Sequence, residues 1–427
     1  MHSGTKKNQA QQLPGKIGHA EFVAMMAAMM SITALSIDTM LPALPQIGAD
    51  LHVVDANDRQ SIITMFMIGL AVGSLFYGPL SDRFGRRKVL MLAAGLQLIS
   101  TLICVMATSF PVMLGARLLA GFSIASCRVV STSIVRDCFR GDAMARVMSL
   151  IMMIFVMVPV LAPSVGALVL MFAPWRAIFG LLLICIVAVG LWQYWRLPET
   201  LPPENRLNIG PKDLWATFVQ IVTNRNSIGH MLASGIMFGG MIGFLVSIQQ
   251  IFDEVFDASQ YFAIGFAAIT IWMGLGSLLN SRLVERFGAR RLGQGAVITL
   301  VLMSLIHCAI VLSGYENLIS FIIVQAMTVV CFSFSGSNFG AISLEPFTKG
   351  AGLAASVQAC LTTLISTILG ALVGASFNGT VLPMTIGFLV FGAVALMVIA
   401  WAERWKLFAR PGHAALRKEN IILPDKG

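Results

Sequence analysis

The chain has 427 residues, 57% hydrophobic and only 11% charged, with a mean hydropathy of +0.83. Soluble proteins carry roughly 25% charged residues, so this composition excludes the soluble class. The net charge of +9 is scattered over short loops. No basic face is available to lie against a duplex, which excludes nucleic acid as a partner and fits the positive loops of a membrane protein.

In chain order, residues 1–21 form a polar tail with Lys6, Lys7 and Lys16. The apolar run that follows is longer than the roughly 7–15 residues of a signal-peptide core and lacks a small-residue cleavage pattern, so a retained span is expected. About 20 helical residues cross the hydrocarbon layer. Twelve runs qualify: 22–45, 60–80, 89–108, 111–135, 147–172, 177–195, 228–251, 261–280, 293–313, 318–342, 352–377 and 381–402. The stretch 196–227 differs, with Pro198, Pro202, Pro203 and Pro211 among its charges. It reads as a linker between two six-span halves, 22–195 and 228–402, with residues 403–427 as a tail. Within it, residues 211–218 have the pattern of a short amphipathic helix on a membrane surface.

Lys and Arg give the orientation. With the N-terminus in the cytoplasm, Arg59 and Arg176 face out, Arg117 and Arg128 lie within a span, and the other cations, including Arg410, Arg417 and Lys418, fall inside. The opposite topology breaks the positive-inside rule. Both termini are therefore expected in the cytoplasm.

Asp38 is the one acidic residue well inside a span, about seven residues or roughly 10 Å from the outer end of the first. A charge there is costly unless it faces a water-filled cavity or a partner. Asp38 thus reads either as a proton- and substrate-coupling carboxyl or as an anchor for the Pro42–Pro45 turn. Arg117 lies at a similar depth on the fourth span. Arg128 follows eleven residues later, within about 20° of three full turns, so both arginines share a face with Gly121 near it. Arg128 either lines the inner wall or snorkels to the cytoplasmic edge. Gly121 reads as cavity lining, and Phe238 and Gln249 on the seventh span and Asn338 on the tenth read as cavity lining or as helix contacts. Pro159, Pro163 and Gly166 lie in the fifth, where proline removes a hydrogen bond and bends the axis.

The seven cysteines form no CxxC and read as small apolar residues. The chain has no P-loop, no nucleophile elbow, no HExxH and no metal-ligand cluster. It is therefore expected not to be an enzyme and to need neither cofactor nor metal, with an ion gradient supplying the work.

The loop after the second span, Asp82-Arg83-Phe84-Gly85-Arg86-Arg87-Lys88, returns after the eighth as Glu285-Arg286-Phe287-Gly288-Ala289-Arg290-Arg291, offset by 203 residues (285 − 82). Two parallel six-span repeats describe one large group of transporters. Gly78 to Lys88 resembles the signature loop of the major facilitator superfamily, and the resemblance covers essentially the whole chain. Arg117 to Gly121, Ala162 to Gly166, Asp38-xxx-Pro42-xx-Pro45, Arg136-Asp137 and Pro198 to Leu201 resemble the twelve-span drug:proton antiporters of the bicyclomycin-resistance (Bcr/CflA) branch. Alanine stands at 162 and 167 where that motif has glycine.

The resemblance implies an all-α membrane protein of two pseudo-symmetric six-helix bundles, monomeric and resident in a bacterial inner membrane. It implies export of small amphipathic compounds in exchange for protons, by alternating access around Asp38 and Arg117. It also implies a gating loop at Gly78, Asp82, Arg83, Gly85, Arg86 and Arg87, with Asp82 facing the start of the eleventh span near Gly350 to Gly352. A proton-coupled importer and a non-transporting membrane sensor are the alternatives.

Overall fold

The computed structural model describes residues 17–139, 141–206, 211–347 and 351–408. Gly350 and the tail cations Lys6, Lys7, Lys16, Arg410, Arg417 and Lys418 lie outside these. Fourteen α-helices are present among the described residues: α1 (His19–Asp38), α2 (Leu44–Asp50), α3 (Ser61–Phe84), α4 (Arg86–Met106), α5 (Phe110–Cys138), α6 (Gly141–Phe172), α7 (Arg176–Arg196), α8 (Pro211–Thr223), α9 (Arg225–Gln250), α10 (Phe262–Phe287), α11 (Ala289–Leu312), α12 (Leu318–Leu344), α13 (Ala351–Ala375) and α14 (Leu382–Ala402). Twelve candidate membrane spans result, α1 and α2 together forming the first. The protein is a multi-pass membrane protein.

The first span is not one continuous helix. α1 ends at Asp38, a 3-10 turn covers Leu41–Ala43, and α2 restarts at Leu44. Pro42 and Pro45 each stand at an early position of the segment they enter, where the missing N–H costs nothing. The break therefore falls directly after the buried carboxylate, closer than a single run 22–45 implies.

The repeat is visible in the backbone. Gly85 joins α3 to α4 at φ 98°, ψ 150°, and Gly288 joins α10 to α11 at φ 85°, ψ 149°. Both angles lie in the region that L side chains rarely adopt, so glycine is required at each corner. The corners turn spans that pack in matching ways: α3 lies on α5 in the first half, and its counterpart α10 lies on α12 in the second. Between halves, α3 crosses α13 and α6 crosses α10. Outward residues such as Leu92, Met106, Leu278 and Leu312 are exposed, as a lipid-facing surface requires.

The linker helix α8 is longer than residues 211–218. Its Ile221 is fully buried against Met231, Phe347, Ala354 and Val357, while Trp215 is 67% exposed. One side of α8 docks on the bundle and the other is free for a membrane surface.

Candidate functional site

Helix alternation puts the cation-rich loops 82–88, 282–291 and 403–406 at one end of the bundle, here the basic face. The loops 39–60, 251–261 and 376–381 lie at the opposite face.

Asp38 is the last residue of α1 and only 4% exposed. No hydrogen bond or ion pair reaches its carboxylate among the described residues. Its surroundings come from two helices. On α6, a Cβ added at Gly166 would stand 1.9 Å from the Thr39 carbonyl oxygen and 3.2 Å from Pro42 Cγ. Gly166 thus lets α6 press on the break beside Asp38, and α6 runs through Pro159 and Pro163 as one helix. On α5, Arg117 is 2% exposed. Its Nη2 donates to the Ser36 carbonyl at 2.9 Å, its Nε to the Ile62 carbonyl at 3.4 Å, and its guanidinium lies 4.3 Å over the Phe66 ring. Ser36 is in the last turn of α1, whose carbonyls lack helical partners and favour a cation. Arg117 caps that helix end and holds the break, rather than pairing with Asp38. The structure therefore brings together Asp38, Arg117, Gly166 and Pro42, with the acid and the guanidinium unpaired.

Several expectations change. Arg117 and Arg128 do not form one cationic stripe: Arg117 turns into the α1–α3–α5 core, whereas Arg128 is exposed in a cavity between the halves. Gly121 is not cavity lining, since a Cβ there would stand 1.8 Å from the Phe66 carbonyl oxygen, and it serves the close α3–α5 contact. Asn338 is occupied by Asn280, to which its Nδ2 donates at 2.8 Å, and so binds α12 to α10. Phe238 is 39% exposed and lies over Gly336 of α12. Gln249 is buried with no hydrogen-bond partner among the described residues, while its neighbour Gln250 bridges the halves.

At the basic face, Gly78 lies on α13: a Cβ there would stand 2.5 Å from Ser356 Oγ. Asp82, however, makes no hydrogen bond to the start of α13 among the described residues, although both line one cavity. Its carboxylate pairs with Arg86 of its own half at 2.5 Å, and Arg86, buried, also holds Asp137 at 3.0 Å. The side chain near Gly352 is Arg136. Glu199 completes this cluster by accepting from the backbone N–H of Arg86 (2.8 Å) and Arg87 (3.2 Å), the orphan donors at the start of α4. Arg87 also donates to the Tyr194 carbonyl at 2.6 Å, and Arg83 lies over Phe84.

The second half repeats the cluster. Arg290 pairs with Glu345 at 2.9 Å and Glu403 at 2.8 Å, and buried His230 adds its Nε2 3.3 Å from Glu403. Burial would raise the Glu403 carboxyl, but the His230 contact and the Arg290 charge outweigh it and hold that group below the usual range. The sequence carries a signal for this cluster, which the loop repeat alone does not expose: Asp137 and Glu345 both close the helix before a loop, 208 residues apart (345 − 137).

At the opposite face an amide chain links the halves. Gln60 donates to Gln250, Gln250 Nε2 donates to Asn57 Oδ1 at 3.1 Å, and Asn57 Nδ2 donates to the Phe377 carbonyl at 3.1 Å. A Cβ at Gly374 would stand 1.7 Å from Gln60 Oε1, so this latch needs glycine there.

Twelve candidate spans in two repeated halves, meeting along two crossings with polar groups on the seam, define a membrane transporter frame. The chain belongs to the Major Facilitator Superfamily, which it matches over residues 22–358. It is 30% identical over 380 residues to the uncharacterised transporter YdgK of Bacillus subtilis, covering 85% of this chain and 90% of that one. It is 27% identical to a bicyclomycin resistance protein homolog of Haemophilus influenzae, covering 89% and 95%. It is also 27% identical to the multidrug resistance protein MdtL of Salmonella agona, covering 87% and 93%. Among solved structures, a D-xylose–proton symporter superimposes with a TM-score of 0.72 at 14% identity, covering 88% of this chain and 97% of that one. The human organic anion transporter MFSD10 gives 0.65 at 18%, covering 91% and 100%. At such identities these two show the fold alone.

Proposed function

We propose that this transporter exports small amphipathic compounds, drugs among them, from the cytoplasm across a bacterial inner membrane in exchange for protons. The basic face is the cytoplasmic one, and the chain works as a monomer without a cofactor. One observation carries the reading: Asp38 is a buried carboxyl with no partner among the described residues, at a helix break that Arg117 and Gly166 hold in place. An unpartnered acid at membrane depth is costly and points to a proton or ligand pathway. The resistance-named relatives support the drug class.

Exchange follows from mutual exclusion. Asp38 gives up its proton as substrate enters from the basic face, and regains one when the halves rock about the α3–α13 and α6–α10 crossings. The amide latch at Gln60 and Gln250 closes the opposite face during loading and parts for release. The work comes from the gradient, about 2.3 kcal/mol per charge for each 100 mV. Efflux of a fluorescent drug from everted vesicles tests this. Asp38→Asn, at normal membrane abundance, is expected to reduce energised transport to background; full transport in that variant removes proton exchange from the account.

A further inference from the structure

We propose that the cavity between α3, α5 and α13 is a binding site for the acidic group of an anionic amphiphile, held by Arg128 and Arg136. The inference rests on the transport reading above and narrows its substrate class.

The cavity encloses about 200 Å³ near the basic face. Arg128 and Arg136 line it, two helical steps of four apart on α5, with Thr132 between them. Arg128 lies ten residues before the end of α5, roughly 15 Å inside it. At that depth a cation without a counter-charge is costly unless water or a ligand reaches it. Neither guanidinium has a hydrogen bond or ion pair among the described residues. The one carboxylate lining the cavity, Asp82, is already held by Arg86 at 2.5 Å.

The remaining polar groups point the same way. Ser74, Thr132 and Ser133 donate their hydroxyl protons to carbonyls of their own helices at 2.7, 2.9 and 3.1 Å. They offer the cavity no donor. Ser356, 5% exposed and without a hydrogen bond, has a free one. Arg136 Nη1 reaches within 3.0 Å of where a Cβ at Gly352 would stand, so the first turn of α13 shares the space. A helix start favours negative charge. The free hydrogen-bonding capacity is thus donor-rich and positive, the complement of a carboxylate, sulfonate or phosphate. Pro79, Val129, Leu353 and Ala359 supply an apolar wall for the rest of such a molecule. Guanidinium is the group suited to gripping planar or tetrahedral oxyanions by two bonds at once.

The test uses purified full-length protein in phosphatidylcholine nanodiscs, with empty nanodiscs subtracted. The probes are anilinonaphthalene sulfonate and its uncharged analogue phenylnaphthylamine. The sulfonate is expected to bind at least about tenfold tighter than the neutral dye, because a charge-assisted hydrogen bond contributes that much or more. Arg128→Gln and Arg136→Gln are each expected to remove most of that preference and leave the neutral dye unaffected, while Arg128→Lys restores part of it. Equal affinity for the two dyes, or an Arg128→Gln protein with unchanged preference, overturns the proposal. Displacement of the sulfonate when phosphatidylglycerol is added to the nanodisc overturns it too, by assigning the site to a lipid headgroup. The readout is binding alone, so a failure of proton exchange in the vesicle assay leaves it standing, and its own failure leaves that assay untouched.

Discussion

The two halves treat buried charge differently. In the second half His230 and Arg290 sit on Glu403, Arg290 also on Glu345, and buried His307 sits on Glu316 at 2.8 Å. In the first half Arg86 follows the same rule, paired with Asp82 and Asp137. Asp38 and Arg117 do not: among the described residues the first has no partner, and the second has only carbonyls and aromatic faces. A paired ion is fixed by its partner, and removing one member leaves the other stranded. An unpaired one is available to whatever enters. The repeat therefore supplies two similar frames, of which the first leaves a buried acid and a buried guanidinium without an ionic partner among the described residues and the second pairs its buried charges.

The sharpest way to break this comparison is one chemical change made twice. Glu403→Gln takes away the acid shared by Arg290 and His230, with an expected loss of stability on the order of 3 kcal/mol. Its melting temperature falls, while the folded fraction still transports. Asp38→Asn removes a carboxyl that nothing inside the protein holds, so the melting temperature stays or rises while transport is lost. If both variants lose stability alike, the asymmetry is not real.

Acid gives the next effect. The Glu403 carboxyl is held below the usual carboxylate range when folded. The stability it contributes is therefore fully present above the unfolded value of about 4.3, and is lost as pH falls through the folded one. Melting temperature against pH is expected to drop more steeply in that window for the wild type than for Glu403→Gln, which has no such group. Parallel curves would detach Glu403 from the cluster's stability.

The smallest effect is conformational. Gly374→Ala displaces the Gln60 amide and costs its bond to Gln250, about 1 kcal/mol, or roughly a fivefold shift away from the closed opposite face. Spin-label distances across that face, between positions 54 and 380, are expected to lengthen in population. An unchanged distribution would mean that the amide chain does not hold the latch.

The spans, the two halves and the repeat were legible because hydropathy and a seven-residue motif do not depend on neighbours: the 203-residue offset puts Gly85 and Gly288 at similar backbone angles. Asp38 was legible for a related reason, as a lone charge in an apolar run. What the pattern hides is facing. Lipid, helix contact and cavity wall are all apolar in a membrane protein, so Gly121 reads as cavity lining although it packs on Phe66, and Asn338 stays open between cavity and helix contact until Asn280 is seen to hold it. The Arg117 cap was hidden too, because its partners are backbone carbonyls that become available only once α1 stops at Asp38. Asn57 and Gln60 share one turn, but Gln250 lies 190 residues beyond Gln60 and Phe377 320 beyond Asn57, and nothing in their local sequence announces that they meet.

The most direct test of the central claim counts protons on the purified protein. Substrate is added in weakly buffered solution with a pH-sensitive dye, and the release is compared with Asp38→Asn. The account predicts about one proton released per bound substrate in the wild type, and none in the variant even where substrate still binds. Equal release from both, or no release from either at saturating substrate, would contradict it.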